Sequence, residues 1–295
     1  MSSRPYDSNE ITREYFDSLL IETRYIDSVL PSMKTSFLGY EFDTPIMTAA
    51  LSHLHNVCEN GMREHALAAK KSNAACFVGM GEDEELEDML SSGAQIIKII
   101  KPHENNDIIY HKIDHAISHG CIAVGMDIDH AYAGNGNYDN VFGLPMKSKS
   151  FEEIKDFIKY SKVPFVVKGV LSVHDAELCV KAGAAAVIVS HHHGIMPYSL
   201  PPLMVLPDIV KAVDNQAQII VDCGIESGAD AFKALALGAD GVCVGRNLMD
   251  ALKGGSDAMS SRINEITGEL KSIMARTGAS CVKDIDPTVL HKRNF

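Results

Sequence analysis

Between Val163 and Arg246 the chain reads VPFVVKGV (163–170), AAAVIVSHHHG (184–194) and AQIIVDCGIESGADAFKALALGADGVCVGR (217–246). The apolar, β-branched runs PFVVKG, AVIVSHHHG, IIVDCG and GVCVGR each stop at a glycine or polar tip, and amphipathic helical sequence lies between them. Strand, polar or glycine-rich tip, helix and strand again is the rhythm of a parallel sheet whose strand ends form a site. Lys168, His192, Asp222 and Arg246 all stand where those strands run out.

The same rhythm extends upstream. FDTPIMTAAL (42–51), AACFVGM (74–80), QIIKII (95–100) and CIAVGMD (121–127) read as strands. Helical sequence follows at Glu59–Lys71, in EDEELEDMLSS (82–92) and at Asp107–His119. The Gly- and Asn-rich stretch 130–149 reads as a loop, and FEEIKDFIKYS (151–161) restarts the helical pattern. Eight strands, each followed by a helix or a loop leading to one, predict an α/β fold of the (β/α)8 TIM-barrel type, which typically needs about 250 residues. A doubly wound open sheet would carry GxGxxG after its first strand, and TAALSHLH is not that turn. The expected organisation is a single domain over 1–295. It has a helical preface at 1–41, capped by Ser8 or Asn9 and reaching Leu20, a barrel at 42–252, and a C-terminal helix and tail at 253–295.

Composition narrows the function classes. A formal net charge of −12 without a basic stripe argues against nucleic acid as a partner and leaves a small-molecule substrate. No run of about 18 uncharged apolar residues predicts a membrane span, and MSSRPYDSNE does not read as a signal peptide. Seven cysteines with no CxxC pair read as reduced thiols, mostly buried, and imply a cytosolic address.

In a barrel of this kind the active residues stand at the C-terminal strand ends, which here carry Thr48, Lys98, Asp127, Lys168, His192, Asp222 and Arg246. The glycines of DCGIESG and GVCVGR are placed to hold a phosphate on backbone amides, with Arg246 as its cation or, failing that, as the partner of a surface carboxylate. Lys168 ends an apolar strand, where a charge needs an answer. That answer is either an anionic ligand or an interior salt bridge to Asp127 or Asp222. Of His191, His192 and His193, neighbours on a strand end point to opposite faces. One inward-facing ring would serve as general base, oriented by Asp127. No HExxH spacing supports a metal there, adjacent histidines rarely converge on one ion, and no metal is expected.

These residues resemble the FMN-dependent α-hydroxy acid oxidases and dehydrogenases, the glycolate and lactate oxidase family, from about Thr12 to Leu252. The likeness is tight in the three quoted segments and weaker in FLGYEFDTPIMTAALSHL and CIAVGMDID. It implies an oxidoreductase with FMN across the strand ends and assembly as a homo-oligomer, often a tetramer. It also implies that Lys168 faces the flavin, that Thr48, Ala49 and Ala50 pass beneath the ring, and that Lys98 and Ser190 contribute to cofactor binding. Asp222, Gly224, Gly245 and Arg246 would hold the phosphate. His192, with Asp127 as its partner, matches the catalytic base, and His193 is the competing match.

Five departures accompany the likeness. The family's SNHGGR becomes SHHHGI, so Ile195 replaces the arginine that clamps the substrate carboxylate. Its Q-L-Y becomes Lys98-Ile99-Ile100, AGNGNYDN carries no second arginine, and an N-terminal segment with an active-site tyrosine has no counterpart. Glu226 stands where an arginine is expected beside the phosphate. Because an apolar side chain cannot replace a bidentate guanidinium, the expected substrate is not a standard α-hydroxy acid. Two other readings stand beside this one. One is a flavin-dependent isomerase of the type 2 isopentenyl diphosphate isomerase kind, and the other is a flavin-binding barrel that has lost catalysis.

Overall fold

The computed structural model describes residues 6–294. Eight parallel strands close into a barrel. They are β1 (Ile46–Leu51), β2 (Cys76–Val78), β3 (Ile96–Ile100), β4 (Ala123–Asp127), β5 (Phe165–Val170), β6 (Ala186–Val189), β7 (Gln218–Val221) and β8 (Gly241–Val244), with β8 returning to pair with β1. Helices α2 (Gly61–Lys71), α3 (Asp83–Ser91), α4 (Asn106–Ser118), α5 (Phe151–Ser161), α6 (Val173–Ala182), α7 (Pro202–Val213) and α8 (Gly228–Ala236) follow the first seven strands. After β8 come α9 (Arg246–Leu252) and the long α10 (Gly255–Arg276), which packs against α2 and α8. All eight strands predicted from the sequence are present.

Alternation along the strands explains both cores. Met47, Ala49, Phe77, Ile97, Ile99, Ala123, Val166, Ala186, Ile188, Ile220 and Cys243 point inward and fill the barrel. Ile46, Cys76, Ile96, Val124, Val167, Val187, Val221 and Val242 point outward and pack under the helices. Each such fully buried aliphatic or aromatic side chain contributes about 1.5–3 kcal/mol relative to exposure. The helix starts are equally local in origin. Ser150 with Glu153, and Ser227 with Asp230, form capping boxes that satisfy backbone N–H groups at the first turns of α5 and α8.

The preface differs from its expectation. Its one described helix, α1 (Ser8–Asp17), is capped by Asp7, whose carboxylate accepts from the Asn9 backbone N–H; neither Ser8 nor Asn9 is the cap. Leu19 and Leu20 have left the helix and pair antiparallel with Lys292 and His291, which ties the two ends of the chain together. Residues 1–5 of the predicted preface lie outside the described residues. The Gly- and Asn-rich loop folds back on itself through a short pairing of Asn140–Val141 with Leu144–Pro145, and Tyr132 stacks on Tyr138 at 5.3 Å.

Among the described residues no helix is long and apolar enough to cross a membrane. All seven cysteines are free. Cys76, Cys121, Cys179 and Cys243 are buried, whereas Cys58, Cys223 and Cys281 are half-buried. Burial pushes the Cys76, Cys121 and Cys179 thiols up to about 12, so they are inert fillers of the core.

Candidate active site at the C-terminal rim of the barrel

Inward alternation carries past the apolar layers and delivers charged residues to the rim. On β4, Asp127 follows Ala123 and Gly125 on the interior side, and on β5, Lys168 follows Val166. The register sets Lys168 directly beside Asp127, and Lys168 Nζ donates to Asp127 Oδ1 at 2.8 Å. The second oxygen, Oδ2, accepts from Lys101 Nζ at 2.7 Å. Burial alone would drive Asp127 toward its neutral form, but Lys168 and then Lys101 hold it well below the usual carboxylate range. Burial likewise opposes charge on Lys168. The Asp127 carboxylate, with Asp129 and Asp222, overrides that and raises Lys168 above an ordinary lysine. The interior salt bridge anticipated for Lys168 therefore exists, with Asp222 standing further off at 4.0 Å.

Lys101 is a residue that sequence reasoning missed. Ile97 and Ile99 face inward, so the next interior place belongs to Lys101, two residues past Ile99. Lys98 sits on the opposite face. Its Nζ donates to the Gly79 carbonyl at 2.6 Å, and burial lowers its pKa to about 8. It lines a second, smaller cavity with Lys112 and His103. Thr48 also turns away, toward the helical layer, where its hydroxyl meets His65 of α2 at 3.0 Å. The side chains of Thr48 and Lys98 thus stay out of the main cleft, for the same reason of strand parity.

The structure separates the three histidines. His191 is buried beneath α1, bonded to Thr12 at 2.8 Å. His193 stands at the rim, where its Nδ1 meets Asn9 Oδ1 at 2.7 Å. His192 lies between them with its ring in the cleft. Its Nδ1 is 3.0 Å from Asp129 Oδ1, 3.4 Å from Lys168 Nζ and 3.7 Å from Asp127. The carboxylate that orients His192 is therefore Asp129, not Asp127, whose two oxygens already serve two lysines. Asp129 gets this close because residue 169 is glycine: at φ +91° a Cβ there would fall 2.3 Å from the Asp129 carboxyl carbon. The second Asp of the DID tripeptide (127–129) was the available signal. Ser190, buried below, donates to Asp222 at 3.2 Å and accepts from the His192 backbone N–H at 3.1 Å.

Asp127, Asp129 and His192 lie close enough together to suggest a metal cluster, but the two lysine ammonium groups already supply the positive charge there. Above them opens a cleft of about 770 Å³, continuous with solvent and lined by Ala49, Ala50, Lys168, His192, Gly224 and Arg246 among others. At its far end the backbone N–H groups of Gly224, Ile225, Gly245 and Arg246 meet no acceptor among the described residues. The exposed Arg246 guanidinium makes a single hydrogen bond among the described residues, a 3.4 Å contact to Asn9 Oδ1. Unbonded amides and one guanidinium in the lining of the same cleft are the donors of a candidate oxyanion cradle. Helix α1 braces this end: Arg13 bridges to Asp230 at 2.7 Å, and Thr12 and Phe16 press on Gly224. Glu226, exposed, lines the same cleft.

The family profile described as FMN-dependent dehydrogenase matches residues 6–150 and 140–292. A 2-hydroxyacid oxidase of Dictyostelium discoideum is 27% identical over 312 aligned positions, covering 93% of this chain and 80% of its own length. An L-lactate oxidase of Nostoc sp. is 35% identical over 169 positions, 57% of this chain and 46% of its own. A solved mandelate oxidase variant with a monooxide FMN adduct superposes with a TM-score of 0.88 at 24% identity, covering 99% of this chain and 93% of that one. That superposition shows a shared barrel.

Proposed function

Because the chain belongs to the FMN-dependent dehydrogenase family, we propose that it oxidises a small hydroxyl-bearing molecule at the barrel rim, with His192 as the base. The observation that carries this reading is the environment of His192: Nδ1 is tied to Asp129, and Nε2 meets no hydrogen-bond partner among the described residues, in a cleft floored by Lys168. FMN, the cofactor of this oxidoreductase family, supplies a two-electron acceptor when bound.

The residues present suit that cofactor. The unbonded amides of Gly224, Ile225, Gly245 and Arg246, with the Arg246 guanidinium, would take its phosphate. Ala49 and Ala50, having small side chains, leave room for a flat ring beside Lys168. His192 would hold the substrate proton on Nε2, and Asp129 would stabilise the resulting imidazolium. Lys168 would present a permanent positive charge to negative charge developing at the cleft floor. Asp127 positions that ammonium without reaching the reacting atoms itself.

The substrate we propose is not one of the simple α-hydroxy acids. Ile195 stands 41% exposed on the histidine loop and brings no cation to the cleft. The family match favours this redox reading over the isomerase alternative. We also propose a cytosolic address, supported by the seven unpaired cysteines, and a homo-oligomer, supported by the family resemblance.

The test begins with the absorbance of the protein as purified and after incubation with FMN. It continues with anaerobic mixing against lactate, glycolate, mandelate and neutral alcohols of matching size. Flavin bands that bleach with a hydroxyl compound other than lactate, glycolate or mandelate are expected. Colourless protein that takes up no FMN would overturn the reading, and full-speed bleaching by lactate would overturn its substrate part. A second expected outcome concerns Glu226, whose charge opposes a phosphate in the same cleft. Glu226→Arg should tighten FMN binding roughly tenfold, measured by flavin fluorescence quenching, with the gain shrinking as salt rises.

A further inference from the structure

We propose that Glu87, His115 and His119 form a binding site for one divalent transition-metal cation, of the Zn²⁺ class, on the outside of the barrel. Helix α4 carries His111 and His115, and its C-cap residue is His119; their four-residue spacing places them on one face. The acidic helix α3 presents Asp83 and Glu87, also four apart, against that face. His115 Nε2 lies 3.0 Å from Glu87 Oε1, and His119 Nε2 lies 3.5 Å from the same oxygen. All three donor atoms fall within 4.8 Å of one another. A tetrahedral ion with bonds of about 2.0–2.1 Å holds neighbouring ligand atoms about 3.3 Å apart, and the two observed edges bracket that separation.

Hydrogen bonding satisfies this cluster only when the His119 ring is charged. His119 Nδ1 lies 2.9 Å from the His115 carbonyl oxygen and must donate to it. In the neutral ring Nε2 is then a bare lone pair, aimed at a carboxylate oxygen that already faces His115. Two acceptors in that arrangement repel unless a cation, either a second ring proton or a metal ion, lies between them. The same Nδ1–H to carbonyl bond is the outer-shell contact that orients a metal-bound imidazole. The His115 side chain is nine-tenths buried, and its Nδ1 has no hydrogen-bond partner, with Asp83 Oδ1 3.8 Å away. Asp83 is already committed to His111 at 2.7 Å and Lys112 at 2.6 Å. Two imidazoles and one carboxylate therefore remain, with a fourth position open to water. That donor set suits Zn²⁺, Co²⁺, Ni²⁺ or Cu²⁺ and not Mg²⁺ or Ca²⁺.

The experiment is calorimetric titration of Zn²⁺ into chelator-treated full-length protein near pH 7.5, repeated with Glu87→Gln, His119→Ala and His111→Ala. One saturable site per chain is expected, weakened at least tenfold in the first two variants and changed less than threefold in the third. Co²⁺ should give visible d–d absorption that His119→Ala abolishes. No saturable heat would overturn the proposal, because a histidine–carboxylate ion-pair network needs no metal. Binding that survives unchanged in both Glu87→Gln and His119→Ala would overturn it equally, by placing the ion elsewhere.

Discussion

His192→Ala slows flavin reduction by the true substrate roughly 10²–10⁴-fold, the range that a positioned general base supplies, while FMN stays bound. The ring lies in the cleft without belonging to the proposed oxyanion cradle, which would consist of backbone amides and Arg246. Its removal should therefore appear in stopped-flow bleaching rates and not in cofactor affinity. Asp129→Asn is the companion variant. It preserves the side-chain shape 3.0 Å from Nδ1 but removes the charge that would balance an imidazolium, so its loss should fall mainly on kcat. A wild-type rate in His192→Ala would move the base to His193. That ring reaches the same cleft, but its Nδ1 is held by Asn9 of α1, and among the described residues no carboxylate hydrogen-bonds to it.

The barrel was legible because its strands are short apolar runs with regular punctuation, and periodicity needs no knowledge of partners. The interior placement of Asp127 and Lys168 was legible too, because both lie on strands in phase with their inward neighbours. The side chains of Thr48 and Lys98 leave the main cleft because one residue of register reverses the face of a strand residue, and the sequence QIIKIIK offers two lysines of opposite parity. Only the inward positions of Ile97 and Ile99 select Lys101. Asp129 escaped for a different reason. It lies beyond the strand end, where alternation has stopped, and its approach to His192 depends on a missing Cβ at Gly169 on another strand. The bracing role of α1 is of the same kind: the contacts of Thr12 with His191 and Arg13 with Asp230 span 179 and 217 residues, and local pattern carries no trace of such pairs.

Asp127→Asn should cost about 3–5 kcal/mol of stability, the usual penalty for removing one partner of a buried ion pair, because it strands two ammonium groups at once. Lys168 and Asp127 are almost fully buried, and Lys101 is only 10% exposed, so water replaces little of what is lost. The pH dependence follows from the directions of the two shifts. Asp127 has a depressed folded pKa, so its contribution is complete above the ordinary carboxylate value and fades as pH falls through the folded one. Lys168 has a raised folded pKa, so its contribution is complete below the ordinary lysine value and fades as pH rises through the folded one. The gap between wild type and variant should therefore be flat from roughly pH 5 to 9 and narrow on both sides. Urea unfolding across that range measures it. Asp222→Asn, 4.0 Å from Lys168 and more exposed, is the control that should cost much less. Adding Lys101→Met to Asp127→Asn should restore part of the loss, since one of the two stranded charges is gone. If Asp127→Asn unfolds at the wild-type midpoint, or the gap widens in acid, then Asp127 is not the counter-charge that keeps Lys168 protonated at the cleft floor. The electrostatic part of the proposed mechanism would fall with it.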